Sequence, residues 1–224
     1  MNWYPENKAE LSEMVFSFIS EIKLKKINGV IVPHAGYEFS GKIAGKAYSY
    51  AKGFEQAVVF GPSHYEYFKG VKCLKAAKTP IGDLKIIGND FKKINYEHSV
   101  QNQLPFLKFL GIKKVLPLVV GEITQSEAKK IAEQFKDFKG LFVFSTDLSH
   151  FFEYDKAKKI DTDSIDKIIE LDSNKIDACG INALKIFFEL AKIKEVKPEL
   201  VEYKNSGDIT IDKSSVVGYA SFIF

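Results

Sequence analysis

Histidines that follow apolar strands are the residues of this chain best suited to chemistry. Three of the four histidines come shortly after runs of large apolar residues at 30–32, 57–60 and 142–144; they are His34, His64 and His150. In open α/β sheets, ligands bind just beyond the carboxyl ends of the strands. The spacing therefore predicts a polar site at one edge of a sheet.

His34 and His64 have the spacing of one β-α-β unit, which predicts that their strands are parallel neighbours. Imidazole is the commonest side-chain ligand for Zn, Cu, Fe and Ni. The pair is typical of half a metal site, although two loop histidines that bond backbone carbonyls would have the same spacing.

The chain has two cysteines, too few for a disulfide framework. Cys179 precedes Gly180 at a predicted helix N-terminus, where the helix dipole favours a thiolate. This makes Cys179 a candidate third ligand, but the residue pattern alone favours a small packed side chain. Cys73 lies in a strand-like run and is predicted to pack in the core.

Two pairs combine a carboxylate with an imidazole. Asp147 and His150 follow the same strand, and Glu97 and His98 are adjacent in the chain. A carboxylate can fix the tautomer of an imidazole, and either group can act as general acid or base. Asp147 could instead cap the next turn. Because adjacent side chains point in different directions, we expect at most one of Glu97 and His98 to face a given ligand.

Other enzyme classes are disfavoured by missing motifs. Serines at 63, 145 and 149 lie near histidines, but no Gly-x-Ser-x-Gly elbow supports a Ser-His hydrolase. No Gly-x-Gly-x-x-Gly or Walker-type loop supports a nucleotide cofactor. All basic residues are lysines, so recognition by the guanidinium fork of an arginine is excluded.

Length and periodicity predict a single α/β domain over residues 1–224. Strands are predicted at 29–34, 56–61, 114–120, 141–147, 200–205 and 215–224, with short strands within 69–87. Helices are predicted at 6–25, 38–52, 88–94, 124–138, 155–170 and 181–193. The helix at 124–138 has Thr124 as a candidate N-cap and Glu127 in the capping-box position. The alternation indicates a mostly parallel or mixed sheet covered on both faces.

Charge and hydropathy give no sign of a nucleic-acid or membrane partner. The net charge is +3, too small to indicate an electrostatic surface for either. There is no signal-peptide pattern, and no apolar run approaches the ~20 residues that span a bilayer. We therefore expect a cytoplasmic protein with reduced thiols.

Ten short motifs, taken in order, resemble those of the Memo family, also called AmmeMemoRadiSam system protein B. The motifs are Trp3-Tyr4-Pro5, Pro33-His34-Ala35-Gly36-Tyr37, Ser40-Gly41, Gly61-Pro62-Ser63-His64, Thr79-Pro80-Ile81-Gly82-Asp83, Glu97-His98-Ser99, Gln103-Leu104-Pro105-Phe106-Leu107, Ser145-Thr146-Asp147-Leu148-Ser149-His150, Cys179-Gly180 and Ser214-Ser215-Val216. They cover almost the whole chain.

That family resembles the class III extradiol dioxygenases, which use non-haem Fe(II). The resemblance implies a three-layer α/β/α sandwich with its site at the strand ends. It also implies a metal site made by His34, His64 and Cys179, with Fe(II) as the first choice and Cu or Zn as alternatives.

The resemblance further implies four pocket-lining residues, of which His150 is the acid/base candidate. They are Asp147, His150, Glu97 and His98. Three positions depart from the family pattern, namely Tyr65 after the second motif histidine, Gln101 in place of an acid and Ile181 in place of an arginine. These departures affect the expected charge of the pocket and its substrate, not the candidate ligands.

Two functions remain open on the sequence. In the first, the chain is a metal-dependent redox enzyme acting on a small molecule, with a thiolate in place of the carboxylate of a facial triad. In the second, the pocket holds a metal or a peptide without turnover, and the chain works with a radical SAM partner protein. Its aromatic content, 19 Phe and 10 Tyr, is compatible with a homodimer.

Overall fold

The computed structural model describes residues 3–19, 21–88 and 90–224. The α-helices of these residues are α1 (Lys8–Phe18), α2 (Lys42–Tyr48), α3 (His98–Gln101), α4 (Leu104–Phe109), α5 (Gln125–Gln134), α6 (Tyr154–Glu170) and α7 (Ile181–Lys194). The strands are β1 (Gly29–Val32), β2 (Gln56–Pro62), β3 (Val71–Leu74), β4 (Lys85–Ile86), β5 (Lys92–Ile94), β6 (Lys114–Val120), β7 (Leu141–Ser145), β8 (His150–Phe152), β9 (Glu199–Asn205) and β10 (Val216–Ile223). A π-helical turn, Tyr37–Gly41, precedes α2.

The strands form one mixed sheet of ten strands among the described residues, with helices packed on it. Its main path is β5-β3-β6-β2-β7-β1-β10-β8, while β4 pairs with β6 and β9 pairs with β10. The central strands β6, β2, β7 and β1 are mutually parallel. The strands at positions 199–223 run antiparallel to their neighbours, which confirms the predicted mixed α/β sheet.

A hydrophobic core lies on each face of the sheet. Successive residues of the central strands alternate between the two cores, as in β7, where Leu141 and Val143 join one core and Phe142 and Phe144 join the other. This two-residue period is that of a strand whose two faces are both buried. The central strands are therefore fully covered, and their polar groups are confined to the strand ends.

The predicted neighbour relation of the two histidine strands was wrong. β7 lies between β1 and β2 and pairs with both, so that Val143 is opposite Val30 on one side and Val59 on the other. The chain returns to the middle of the sheet after β6 instead of adding each strand at the edge. All three strands nevertheless run in the same direction and end at the same edge.

Two short strands were not predicted. The helix expected at 88–94 is replaced by β5 (Lys92–Ile94), which pairs in parallel with β3, because edge pairing with a distant strand outweighs local propensity. β8 (His150–Phe152) pairs with β10. The first helix ends at Phe18, before the predicted limit.

None of the helices in the described part of the chain is long and apolar enough to cross a membrane.

A capping box that can be recognised in the sequence fixes the start of α5. Thr124 is the N-cap, its hydroxyl accepts from the Glu127 N–H at 3.2 Å, and the Glu127 carboxylate accepts from the Thr124 N–H at 2.7 Å. This capping box pairs two N–H groups that the helix leaves without partners. Pro105 likewise lies in the first turn of α4, where its missing N–H costs nothing.

We predict that Thr124→Ala lowers the free energy of unfolding by about 1 kcal/mol, because the cap hydroxyl is lost. Chemical denaturation followed by circular dichroism measures the change. Thr124→Ser keeps the hydroxyl and should stay near wild type. Equal stability of the Ala and wild-type proteins would contradict the role of the capping box.

Candidate metal site

The candidate site lies where β1, β2 and β7 end. His34 comes two residues after β1 and His64 two residues after β2, and between them β7 ends at Ser145. The ladder continues one step further, since the Thr146 N–H donates to the Val32 carbonyl at 2.9 Å. Because the three strands are parallel, their ends bring side chains from distant parts of the sequence to one edge of the sheet.

Three histidines cluster at this edge. The ring centroids of His34, His64 and His98 lie 4.5 to 5.4 Å apart, and one nitrogen from each lies within 4.8 Å of the others. His34 and His98 are buried, and His64 is partly open to solvent. These three side chains could hold a metal ion. Sequence reasoning assigned His98 to the pocket wall and missed it as a candidate ligand.

Cys179 also reaches this cluster. Its Sγ lies 3.3 Å from His34 Nε2. Ligands about 2.1 Å (imidazole) and about 2.3 Å (thiolate) from one ion, at angles between a right angle and a tetrahedral one, are about 3.1 to 3.6 Å apart. The distance between Cys179 Sγ and His34 Nε2 therefore fits two ligands of one metal ion. These side chains suit the metal that the family resemblance implies.

Close packing of the chain at Gly180 places Cys179. The Gly180 N–H donates to Thr146 Oγ1 at 2.9 Å, and the Cys179 N–H donates to the Asp147 carbonyl at 3.2 Å. A Cβ on Gly180 would lie 2.6 Å from the Cβ of Thr146. The start of α7 thus rests directly on the end of β7 because residue 180 has no side chain.

Asp147 ties together the two sides of the site. Its Oδ1 accepts from the His34 N–H at 2.8 Å, its Oδ2 lies 3.9 Å from His34 Nε2, and its own N–H points to Cys179 Sγ at 3.3 Å. Burial raises the pKa of Asp147, against the opposing effects of the His34 N–H and the nearby histidines. Asp147 thus contacts both His34 and Cys179.

Glu97 is a buried carboxylate that holds His64. It accepts from His64 Nδ1 at 3.0 Å and from the His64 N–H at 2.6 Å. Burial alone would raise the pKa of Glu97, but the hydrogen bonds from His64 and the contact with His98 outweigh it and hold the pKa well below its usual range. Because a carboxylate only accepts, His64 Nδ1 carries a hydrogen, so that Nε2 keeps its lone pair in the neutral ring.

Glu97 and His98 both face the site, contrary to our expectation that at most one would. Glu97 is the extended N-cap of α3 and His98 is its first residue, so the backbone turns between them. Glu97 Oε1 lies 3.0 Å from His98 Nδ1 but out of line for a hydrogen bond, and within the described part of the chain His98 Nδ1 has no other partner.

Burial shifts the pKa values of His34 and Cys179. It lowers the pKa of His34 well below its usual value, and the neighbouring His64 and His98 lower it further. Burial, followed by the charge of Asp147, raises the pKa of the Cys179 thiol. His34 is therefore a neutral imidazole, as a ligand must be, whereas a metal would have to displace the proton of Cys179.

His150 stands apart from this cluster. It begins β8, is partly exposed, and its ring lies 5.6 Å from that of Phe151. Among the described residues it forms no side-chain hydrogen bond with Asp147, so the predicted pairing of these two groups is not present as a direct contact. Its charge still lowers the pKa of His34 and of Asp147, which keeps it within electrostatic reach.

Aromatic rings border the histidines on the open side. Trp3 stacks on His98 with ring centroids 4.1 Å apart, and Tyr65 lies 5.5 Å from both His98 and Tyr96. Sequence reasoning used Trp3 only as part of a motif and missed this border. The available signal was the presence of an aromatic residue next to two of the motif histidines, Tyr65 beside His64 and Tyr96 close to His98.

A cavity of about 610 Å³ lies elsewhere, where the parallel strands begin. Its lining includes lysines at 26, 114, 139 and 194 and a single acid, Glu55, without histidine or cysteine. Cavity size therefore does not indicate the chemistry of this protein; the clustering of ligand-type side chains does.

Comparison with known proteins gives one family along the whole chain. The family model of the Memo-like protein matches residues 2–223. A MEMO1 family protein of Methanococcoides burtonii is 35% identical over 256 residues, which cover 99% of this chain and 96% of the relative. MEMO1 family proteins of Aquifex aeolicus (32% identical, 99% and 96% covered) and Archaeoglobus fulgidus (29% identical, 100% and 96% covered) are also similar.

We predict that Gly180→Ala lowers the free energy of unfolding by about 1 to 3 kcal/mol, because the added methyl group forces the start of α7 away from β7. The same displacement moves Cys179 away from His34. Denaturation measures the first effect, and metal titration of the folded variant measures the second.

Gly36→Ala is the matched control for this substitution. It lies in the motif of His34, and an added Cβ there meets its nearest neighbour, in Phe39, only at 3.7 Å. Its stability should stay within about 1 kcal/mol of wild type. If both variants are equally stable, the close approach at Gly180 does not position Cys179.

Proposed function

The chain belongs to the Memo-like protein family, and from this premise we propose that it binds a transition metal through His34, His64 and Cys179. The observation that carries the proposal is the convergence of a neutral, buried imidazole and a thiol, 3.3 Å apart, at an edge where His64 also presents a free nitrogen.

The choice of Cys179 over His98 as third ligand rests on their contacts. Cys179 Sγ is within the ligand-to-ligand distance of His34 Nε2, as calculated above. His98 instead stacks face to face on Trp3, at an interplanar angle of 7°, which suits a ring that shapes the pocket. His98 remains available as a further ligand or as a proton carrier beside Glu97.

The donor set suits Fe(II), which the family resemblance makes the first choice, and also Cu or Zn as alternatives. Imidazole suits all three metals, and a thiolate, softer than a carboxylate, favours Fe(II), Cu(I) and Zn. Bound Fe or Cu would supply one-electron chemistry at a position that small molecules can reach. The side chain of His64 is 30% exposed, against 2% for His34, so a substrate would approach from the His64 side.

The surrounding side chains divide the remaining tasks. Glu97 orients His64, and Asp147 orients the backbone of His34. His150, partly exposed and within electrostatic reach of the buried Asp147, is suited to carry a proton between solvent and the pocket. Tyr65 and Tyr96 present exposed rings, 55% and 43% accessible, on which a planar or aromatic part of a substrate could rest.

The same exposed rings support a second candidate function, that of a binding protein without turnover. Tyr65, Tyr96 and Trp3 border the histidines and offer an apolar surface beside a metal, which suits a peptide segment. In this alternative a partner such as a radical SAM protein or a second copy of the chain would supply the segment, in the cytoplasm, where the thiol stays reduced.

Metal content tests the proposal. Protein purified anaerobically without chelator, and then reconstituted, should contain about one metal ion per chain. Cys179→Ser should lower the affinity by at least ~10-fold, since a ligand is replaced by a poorer one. Substitution with Co(II) should give a thiolate-to-metal charge-transfer absorption in wild type that is missing from Cys179→Ser.

Cys73→Ser is the matched control, because Cys73 is the other free cysteine and is buried in the core away from the site. It should keep both the metal and the charge-transfer band. If His98→Gln loses the metal while Cys179→Ser keeps it, the ligands are the three histidines. A wild-type protein that binds no metal after reconstitution would overturn the proposal.

Turnover separates the enzyme from the binding protein. Metal-loaded protein that consumes oxygen in the presence of a reductant and a phenolic substrate, with loss of this activity in His34→Ala, supports the enzyme. Metal-dependent peptide binding without oxygen consumption supports the second function.

A further inference from the structure

Ser145, the last residue of β7, makes three close polar contacts through its hydroxyl. Its Oγ lies 2.9 Å from Gln103 Nε2, 2.6 Å from the Ser99 carbonyl oxygen and 2.9 Å from His34 Nδ1. The side chain is fully buried. Water therefore does not compete, and the pattern of donors and acceptors follows from the protein groups alone.

The direction of the first contact follows from the amide of Gln103. Gln103 Nε2 lies 3.0 Å from the Pro33 carbonyl, which can only accept, and Gln103 Oε1 lies 3.0 Å from the Tyr48 hydroxyl. If the Gln103 amide were flipped, its Oε1 would lie about where Nε2 is now, next to the Pro33 carbonyl oxygen, and neither oxygen could donate a hydrogen. The amide nitrogen therefore faces Pro33 and Ser145, and Gln103 donates to Ser145.

The direction of the second contact follows from the backbone. The carbonyl of Ser99 has no hydrogen, so the short contact to Ser145 requires that the serine hydroxyl donates. A hydroxyl has one hydrogen and two lone pairs. The hydrogen is now used at Ser99 and one lone pair at Gln103, which leaves a lone pair for His34.

We propose that Ser145 is a positioning residue that holds metal-free His34 in the tautomer with the hydrogen on Nδ1, so that the lone pair of Nε2 faces Cys179. The ring nitrogen that remains unprotonated is the one 3.3 Å from the thiol. The consequence for metal binding rests on the proposed function, whereas the tautomer itself is a property of the metal-free chain.

The two candidate histidine ligands are thus oriented by different means. His64 donates to the carboxylate of Glu97, and His34 donates to a neutral hydroxyl. The reason lies in the neighbours of His34. Asp147 already places a carboxylate 3.9 Å from its Nε2, and a hydroxyl orients the buried ring without adding a second negative charge beside it. Ser145→Asp would therefore not be a conservative change.

Proton–nitrogen correlation NMR of metal-free protein with labelled histidines tests the inference directly. Protonated and unprotonated ring nitrogens have well-separated nitrogen shifts, and the chain has four histidines, so the His34 signals can be assigned as those lost in His34→Gln. The expected result for wild type is an Nδ1–H tautomer at His34. An Nε2–H tautomer or an imidazolium in wild type would overturn the inference without any variant.

Ser145→Ala tests whether the serine is the cause. The variant should show His34 as the Nε2–H form, which free imidazole side chains prefer, or as a mixture, and Ser145→Thr should restore the Nδ1–H form. Ser221→Ala is the matched control, because Ser221 is equally buried and its hydroxyl has no hydrogen-bond partner among the residues that the structure describes. A pure Nδ1–H form in Ser145→Ala would overturn the role of Ser145.

Metal titration then separates this inference from the proposed function. Ser145→Ala should weaken metal binding by about 10- to 100-fold, as loss of the group that orients a ligand typically does, while Ser221→Ala should not. If wild-type His34 has the expected tautomer but the protein binds no metal, the proposed function fails and the orientation stands. If the protein binds metal but His34 is the Nε2–H form, the inference fails and the proposed function stands.

Discussion

The end of β7 is polar but buried. The structure around the site depends on the hydrogen bonds that these polar groups form with other segments. Ser145, Thr146 and Asp147 are almost inaccessible to solvent, so each needs a partner from the protein. The partners come from β1, from the segment around α3 and from the start of α7. The bonds that satisfy the strand end are therefore the same bonds that bring His34 and Cys179 together.

Features set by local sequence could be predicted. The structure confirms the histidines after strand ends, the capping box at Thr124 and the alternation of strands and helices. Each of these features depends on residues that are close together in the sequence. The Memo-like resemblance is confirmed along residues 2–223. The division of the chain into a single domain stays a prediction.

Features set by pairing between distant segments could not be predicted in this way. The insertion of β7 between β1 and β2 depends on where the chain returns after β6, and no residue in either histidine motif encodes it. The role of Cys179 has the same origin. The distance between Cys179 and His34 depends on the close packing of Gly180 on Thr146. The sequence shows that residue 180 has no side chain, but only the fold shows that Thr146 lies next to it.

The site has two unlike halves, and this difference shapes what its chemistry can be. On the inner side, His34 is buried, neutral and oriented by a hydroxyl, next to the buried carboxylate of Asp147 and the partly buried thiol of Cys179. On the outer side, His64 is held by an ionised Glu97 and is open to solvent beside Tyr65. Substitutions on the inner side should change whether a metal is held, because they disturb an enclosed network without water to replace lost partners. Substitutions of the outer aromatic residues, such as Tyr65, should instead change what reaches a metal held there, because solvent can satisfy the groups that they expose.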